Sequence, residues 1–192
     1  MEVCFPSTAA NYFHLLRTHM RMPFRKPLIV VSPKKLLRLK AACSSAADFL
    51  DGERFKPVIE DQNADLVAND KVTKVLLCSG QVYYDLEAER ERRGRNDVAI
   101  LRVESLCPFP FKRLIPHFKD YKNATVTWVQ EEPKNAGCWL YVEPRLRNTL
   151  EYLDRDVAEA NYVGRPIMAA TAVGFTKTHN SQAAKILEDA FE

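Results

Sequence analysis

Two adjacent carboxylates are the most chemistry-like feature of this sequence. Glu131 and Glu132 lie in QEEPKNAG (residues 130–137), directly after the apolar run ATVTWV (residues 124–129). Neighbouring side chains on an extended chain point to opposite faces, so the pair cannot act together on one small substrate. The sequence therefore argues against acid/base hydrolysis. It predicts an acidic loop shaped by Pro133 and Gly137.

Histidines and a glycine turn offer weaker signals. No H-x-x-x-H pair with a further ligand occurs, so we expect no metal site; the four histidines are His14, His19, His117 and His179. CSGQ (residues 78–81) has the form of a strand-to-helix junction at Gly80. It lacks both G-x-G-x-x-G and the phosphate-loop pattern, which favours a plain turn over phosphate binding.

Basic residues form two local clusters. The first contains Lys34, Lys35, Arg38 and Lys40, and the second contains Lys112 and Arg113, directly after PFPF. Such clusters are usually solvated faces, although lysine and arginine also bind phosphate and acidic surfaces. The sequence leaves both interpretations open and does not show whether the clusters lie together.

Composition limits the function classes. The chain has 192 residues, a formal charge of +3 and five cysteines. The charge is scattered and the cysteines form no C-x-x-C pair, so we expect no nucleic-acid partner and reduced, intracellular thiols. No apolar run is long enough to span a membrane and no signal peptide is evident, which predicts a soluble chain without a membrane partner. The opening MEVCFPST resembles the start of an excised fragment.

The elements that must position these residues begin with a helix. Ser7 or Thr8 is expected to cap it, and it should run to about Met20. PLIVVS (residues 27–32) predicts a buried parallel strand, and Ser32 followed by Pro33 predicts the start of another helix. Residues 40–70 show little periodicity and predict an irregular surface segment.

A strand–helix repeat then predicts the fold. The expected strands are residues 74–80, 98–104, 124–130 and 161–165, and the expected helices are residues 81–94, 108–121, 139–153 and 179–191. This alternation is typical of an α/β fold: a doubly wound, mostly parallel sheet of about five strands with helices on both faces. QEEPKNAG would lie at the carboxyl end of a strand, where such sheets gather ligands and partners.

Six segments, read in order, resemble a known family. They are PSTAANYFHLLR (residues 6–17), FRKPLIVVSPKKLLR (24–38), LLCSGQVYYDL (76–86), VAILRVESLCPFPF (98–111), WVQEEPKNAG (128–137) and AVGFTKTH (172–179). Together they resemble the carboxyl-terminal region of the 2-oxoglutarate dehydrogenase first component, the thiamine-diphosphate-dependent decarboxylating subunit. The resemblance implies a transketolase-type carboxyl-terminal domain at residues 27–192, preceded at residues 1–26 by the tail of a pyrimidine-binding domain.

The resemblance also implies what the parent protein does. Members of the family are homodimers that decarboxylate a 2-oxo acid on thiamine diphosphate and Mg²⁺, in the mitochondrial matrix or in the bacterial cytoplasm. They pass the acyl group to a lipoyl succinyltransferase, whose lipoyl arm is reoxidised by dihydrolipoyl dehydrogenase. The G-D-G motif that holds the diphosphate and the metal is absent here. We therefore expect no catalytic residue, no bound thiamine diphosphate or metal, and no decarboxylase activity in this segment alone.

Some relatives bind acetyl-CoA as an activator on this region. The implied effector residues are Arg54, Ser105, Lys112 and Arg113, whereas Glu2, Thr18 and Pro57 depart from the family pattern at the other contact positions. Gln130, Glu131, Glu132 and Asn135 are implied as dimer or loop contacts, and Ala136 stands where relatives usually carry glutamine. Two alternatives stay open: a 2-oxoadipate-type paralogue, and a free-standing, non-enzymatic interaction or nucleotide-sensing module of the same fold.

Overall fold

The computed structural model describes residues 1–155 and 159–192. The described strands are β1 (Glu2–Cys4), β2 (Leu28–Val30), β3 (Val58–Ile59), β4 (Lys74–Cys78), β5 (Val98–Val103), β6 (Ser105–Cys107), β7 (Thr125–Pro133) and β8 (Asn161–Arg165). The described α-helices are α1 (Ala9–Arg21), α2 (Val82–Arg93), α3 (Phe111–Asp120), α4 (Trp139–Tyr152) and α5 (Thr176–Phe191). None of these helices is long and apolar enough to cross a membrane.

The main sheet has five strands in the order β3-β5-β4-β7-β8. All its pairings are parallel except that of β3 with β5, which is antiparallel. Every residue of β5 is buried, as are four of the five in β4. Strands covered on both faces need continuous apolar runs, and this is why VAIL (residues 98–101) and VLLC (residues 75–78) show no alternation; Arg102 is the charged residue buried in β5.

Helices cover both faces of this sheet. Leu77, Leu101 and Trp128 belong to one apolar core, together with residues of α3 and α4. Leu76, Ile100 and Val129 point the other way and pack with residues of α2 and α5. Successive strand residues thus enter opposite cores, as the period of two requires. The prediction of a doubly wound, mostly parallel five-stranded sheet is confirmed.

One predicted member of that sheet is wrong. Residues 27–32 were expected as a buried strand, but β2 pairs in parallel with β1 in a separate three-stranded sheet of order β2-β1-β6. β2 is an edge strand there, and Ile29 is exposed. The fifth position of the main sheet is taken by β3, from the segment expected to be irregular. A short apolar run does not by itself distinguish a buried strand from a half-exposed edge strand.

The helix expected from Pro33 is also wrong. Leu36, Leu37 and Arg38 each donate a backbone bond to the carbonyl three residues earlier, so the segment forms turns instead of an α-helix. A short 3₁₀ turn then follows at Lys40–Ala42. Leu36 and Leu39 are the residues of this segment that pack against the core, and the rest is basic or exposed. So narrow an apolar stripe does little to stabilise a longer helix.

The other helices agree with the predicted pattern. Thr8 caps α1 by accepting from Asn11 N at 3.2 Å, and α1 then runs to Arg21. Gly94 ends α2 in the left-handed conformation at φ 65°. The closing helix α5 begins at Thr176, three residues before the expected start at His179.

Candidate functional site

The segment at the carboxyl end of β7 (residues 130–137, the β7 loop) is fastened by the side-chain amide of Gln130, which is only 3% exposed. Its first four residues belong to β7, which extends to Pro133, beyond the strand end expected at residue 130. Gln130 Oε1 accepts from Trp128 Nε1 and from Trp139 N, both at 3.1 Å. Its Nε2 donates to the carbonyls of Glu132, Pro133 and Ala136, at 3.2, 3.0 and 2.9 Å. The amide is thus committed to the loop itself, and its hydrogen-bonding capacity is used within this chain.

Gly137 closes the same loop. Its φ of +64° lies in the left-handed region, and a Cβ there would come within 3.0 Å of Gln130 Nε2 and of the Glu132 side chain. Asn135 makes two bonds to Met168: Nδ2 donates to the carbonyl at 2.9 Å and Oδ1 accepts from N at 3.1 Å. The loop is therefore anchored from both sides.

Glu131 and Glu132 contact different groups. Glu131 Oε1 accepts from Gln81 Nε2 at 2.9 Å, across the carboxyl ends of β4 and β7. Glu132 lies against Gly137. Burial raises the pKa of Glu131, and the bond from Gln81 partly opposes that shift. Arg165 donates from Nε to the backbone carbonyl of Glu131 at 2.8 Å, not to its carboxylate.

The turn at Gly80 is filled by the chain itself. Gly80 has φ +73°, and a Cβ there would overlap the ring of Phe5. In open α/β sheets the carboxyl ends of strands on either side of a topological switch usually border a ligand crevice. Here the Phe5 ring lies against Gly80, at the carboxyl end of β4, and the Gln81–Glu131 bond joins the carboxyl ends of β4 and β7.

Two neighbouring grooves along β3 carry basic residues, and we call them the basic grooves. The first, of about 310 Å³, is lined by residues 52–58 and Arg113. The second, of about 280 Å³, is lined by Lys56, Lys112, Arg113 and His117, among others. Within residues 1–155 and 159–192, Lys56 pairs with Glu53 at 3.3 Å, whereas Arg54, Lys112 and Arg113 form no ion pair.

Three of the four implied effector residues therefore lie together. Arg54 and Arg113 share the first groove, and Lys112 and Arg113 share the second. The fourth, Ser105, is only 4% exposed and donates from Oγ to the Pro108 carbonyl at 2.9 Å. Its hydroxyl is thus committed inside the protein.

Of the remaining effector positions, Pro57 lines the first groove, whereas Glu2, Thr18 and the first basic cluster lie outside both grooves. Glu2 bonds to His19 Nδ1 at 2.9 Å, and Thr18 is half-buried on α1. Lys35, from the first basic cluster, pairs with Asp85 of α2 at 3.0 Å. Neither basic groove includes a residue of that cluster. The two clusters that the sequence left unplaced therefore do not form one patch.

Lys56 was missed by the sequence reasoning. It lies two residues after Arg54, and in an extended segment this spacing puts both side chains on one side. The R-x-K spacing was the available signal. For metal binding, no three His, Cys, Asp or Glu side chains in the described part of the chain are arranged to hold an ion.

A comparison with protein families decides the class of protein. The model of the family described as "2-oxoglutarate dehydrogenase C-terminal" matches residues 43–191. The chain belongs to this family. The matched range contains the whole five-stranded sheet, the basic grooves and the β7 loop, whereas β1, α1 and β2 precede it. The resemblance seen in the sequence is confirmed.

Named relatives extend the similarity to nearly the whole chain. Proteins named "2-oxoglutarate dehydrogenase E1 component" from Brucella ovis, Brucella canis and Brucella abortus are each 44% identical to it over 197 aligned residues. The alignment covers 99% of this chain and 20% of each relative. The chain thus spans about a fifth of the length of these enzymes.

Proposed function

We propose that the chain is the carboxyl-terminal part of a 2-oxoglutarate dehydrogenase decarboxylating subunit, contributing dimer contacts and an anion-binding effector surface instead of catalytic groups. The observation that carries this proposal is the 44% identity to E1 components over 99% of the chain. In the parent protein the work would be the oxidative decarboxylation of 2-oxoglutarate with acyl transfer to lipoyl, in the mitochondrial matrix or the bacterial cytoplasm.

The cofactors and partners of the proposed parent act outside this chain. Thiamine diphosphate with Mg²⁺ supplies the carbanion chemistry when bound, but the described residues offer no suitable ligand cluster for the metal. We therefore assign no step of the reaction to residues here. The other proposed partners are a second subunit, the lipoyl succinyltransferase and the dihydrolipoyl dehydrogenase.

A two-part organisation is included in the proposal, with residues 1–26 as the tail of the preceding domain and residues 27–192 as the transketolase-type domain. β1 of the first part pairs with β2 and β6 of the second part in a sheet apart from the five-stranded one, so this small sheet joins the two proposed parts.

Apolar side chains near the β7 loop support a protein contact. Leu140 follows the loop by three residues, and Ile167 adjoins Met168, which bonds to Asn135; their exposed fractions are 69% and 73%. Phe175, at the start of α5, is 79% exposed. Exposed apolar side chains that adjoin an anchored loop, as Leu140 does in sequence and Ile167 does next to Met168, are typical of interaction surfaces.

The basic grooves support the effector part of the proposal. Arg54, Lys112 and Arg113 are exposed and carry no carboxylate partner in the described ranges. Exposed guanidinium and ammonium groups without a carboxylate partner bind phosphate through charge-assisted hydrogen bonds. A phosphate-rich ligand such as acetyl-CoA fits this chemistry, although Ser105 would not reach it without breaking its internal bond.

A turnover assay tests the enzymatic assignment. The 192-residue chain is incubated with 2-oxoglutarate, thiamine diphosphate and Mg²⁺, beside a longer protein that also carries a G-D-G segment upstream. We expect turnover from the longer protein alone, with 2-oxoadipate assayed in parallel to separate the paralogue. Turnover by the 192-residue chain, or none by the longer protein with either acid, would overturn the assignment.

Calorimetric titration tests the effector surface. Acetyl-CoA and AMP are titrated into the chain, into Lys112→Ala/Arg113→Ala, and into Lys119→Ala, which removes an exposed charge from the same helix as a matched control. We expect heat from the chain and from the control, and its loss in the double variant. Absence of heat at about 1 mM ligand, where a useful effector is largely bound, would remove the effector role.

A further inference from the structure

A third polar cavity lies between α1 and β5 and adjoins the basic grooves, and we call it the interior cleft. It has a volume of about 200 Å³ and is lined by α1, the turn at Ala46–Phe49, α2 and β5. The residues that matter to the argument are Asn11, His14, Arg54, Tyr83, Glu87 and Arg102. Neither Lys112 nor Arg113 reaches it, so it differs from the basic grooves in composition.

Arg102 is a buried cation with spare donors. It is 3% exposed, its Nη1 donates to Ser7 Oγ at 3.2 Å, and its Nε has no acceptor among the described residues. The guanidinium lies 4.0 Å from the centroid of the Tyr83 ring. It forms no ion pair with a carboxylate of residues 1–155 or 159–192. A guanidinium has five N–H donors, and burying it is costly unless they are paired.

The carboxylates around the cleft accept from groups other than Arg102, and Glu104 Oε1 has no partner among the described residues. Glu104 Oε2 accepts from Ser7 N at 2.7 Å and from Asn11 Nδ2 at 2.9 Å. Glu87 accepts from the Tyr83 hydroxyl. Asp48 accepts from Ser45 N at 2.7 Å. They reduce the net charge of the region, but none of them forms an ion pair with Arg102 in the described ranges.

Arg54 adds a second cation at the same cavity. It is exposed and lines both the cleft and the first basic groove, and it has no ion-pair partner in the described ranges. One buried and one exposed guanidinium thus border a space of a few atoms' width. Two such forks match the paired oxygens of carboxylates and phosphates.

We infer that the interior cleft is an anion site separate from the basic grooves, and that it binds a small oxyanion between Arg102 and Arg54. Carboxylate and phosphate share the chemistry that the two guanidiniums recognise. Binding would give the Nε–H of Arg102, which has no partner among the described residues, an acceptor. The cleft shares Arg54 with the proposed effector surface, and Arg102 distinguishes the two sites because it lines the cleft alone.

Two histidines report on the two surfaces independently. His14 lines the cleft, where its Nε2 donates to the Asp48 carbonyl at 2.8 Å and its Nδ1 has no partner among the described residues. His117 lines the second basic groove. Ring proton signals of both are followed by nuclear magnetic resonance while inorganic phosphate, succinate or uncharged succinamide is added to the 192-residue chain.

We expect phosphate or succinate to shift His14 in a saturable way at up to about 10 mM, and succinamide to leave it in place. A response to one anion alone assigns the site to that class. If neither anion moves His14, or if succinamide moves it equally, the inference is wrong.

Variants assign the response to residues. Arg102→Gln should weaken the His14 response at least about tenfold, whereas Arg113→Gln should change it by less than about twofold. Arg54→Gln provides an exposed second test that does not threaten the core, with a loss of about fivefold expected by the same scale. A response that survives both Arg102→Gln and Arg54→Gln, or that is lost in Arg113→Gln, would overturn the inference.

Discussion

Polar side chains of the β7 loop are hydrogen-bonded within the chain, whereas three basic side chains of the grooves are unpaired among the described residues. In the loop, Gln130 makes five hydrogen bonds within the chain, and Glu131 bonds to Gln81. In the grooves, Arg54, Lys112 and Arg113 form no ion pair in the described ranges. The more conspicuous sequence motif is thus the internally satisfied one. A side chain is available to a ligand when its own fold leaves it unpaired.

The largest expected effect comes from Gln130→Glu. Glutamate has the same shape as glutamine, but its carboxylate cannot donate to the carbonyls of Glu132, Pro133 and Ala136. These carbonyls then lose their donor and lie next to a negative charge. We expect the free energy of unfolding to fall by about 3 kcal/mol, because buried unsatisfied groups cost roughly 1–3 kcal/mol each. Denaturant unfolding measures it. Gln62→Glu, at an exposed glutamine, is the control, and equal effects of the two changes would contradict the fastening role.

A matched glycine pair separates backbone strain from crowding. Gly137 and Gly94 have φ of +64° and +65°, but a Cβ at Gly94 would meet nothing within 4 Å. Gly94→Ala should cost about 1 kcal/mol for the left-handed backbone alone, and Gly137→Ala about 2 kcal/mol because Gln130 and Glu132 must also shift. Thermal unfolding compares the two. A smaller loss at Gly137 than at Gly94 would show that the loop is not tightly packed.

The pH dependence of stability should show opposite slopes for two carboxylates. Burial raises the pKa of Glu131, so its protonated form is favoured by folding and stability falls as pH rises from the ordinary value of 4.5 through the raised one. The Arg95 side chain lowers the pKa of Asp97 to about 2, so its stabilisation is present above the ordinary 3.8 and is lost as pH falls toward 2.

Substitution tests those slopes one at a time. Glu131→Gln should flatten the decline above pH 4.5, and Asp97→Asn should flatten the acid-side loss below pH 3.8. Denaturant unfolding across the acid range, with each variant compared with the parent chain, measures both. A slope that persists in its own variant must come from another group.

The smallest change in stability is expected at the grooves. Lys112→Ala/Arg113→Ala removes two exposed charges that form no ion pair in the described ranges, so unfolding should change by less than about 0.5 kcal/mol. Denaturant unfolding measures it, and Lys119→Ala serves again as control. A loss above 1 kcal/mol, by the same scale, would mean that the groove is structural and would weaken the contrast with the β7 loop.

Much of the fold was predictable because its signals are local. Thr8 marks the start of α1 and Gly94 marks the end of α2, and β4 and β5 contain the apolar runs VLLC and VAIL. Which strand a short strand pairs with depends on residues far away in the sequence. Nothing in LIV shows that β2 pairs with β1, and Val58 and Ile59 become a strand because they pair with Val103 and Arg102 far along the chain.

The candidate sites show the same contrast between local signals and long-range contacts. That Glu131 and Glu132 diverge follows from the alternation of an extended chain, whereas Gln130 looks no different in sequence from an exposed glutamine. The grouping of Arg54 with Arg113 needs β3 to run beside the start of α3, and the interior cleft needs α1 to meet β5. Such meetings across some 60 to 90 residues are set by packing, which local propensity does not encode.

The Phe5 ring at Gly80 has a consequence for the history and engineering of this sheet. Related architectures bind a nucleotide or coenzyme at the carboxyl ends of such strands. Here the end of β4 binds a side chain of the same chain, Phe5. The Phe5→Ala variant would leave the space beside Gly80 empty. A short peptide that contains FPST would then be a candidate to bind there as a separate molecule. The same edge of the sheet can therefore hold either a ligand or a segment of the protein itself.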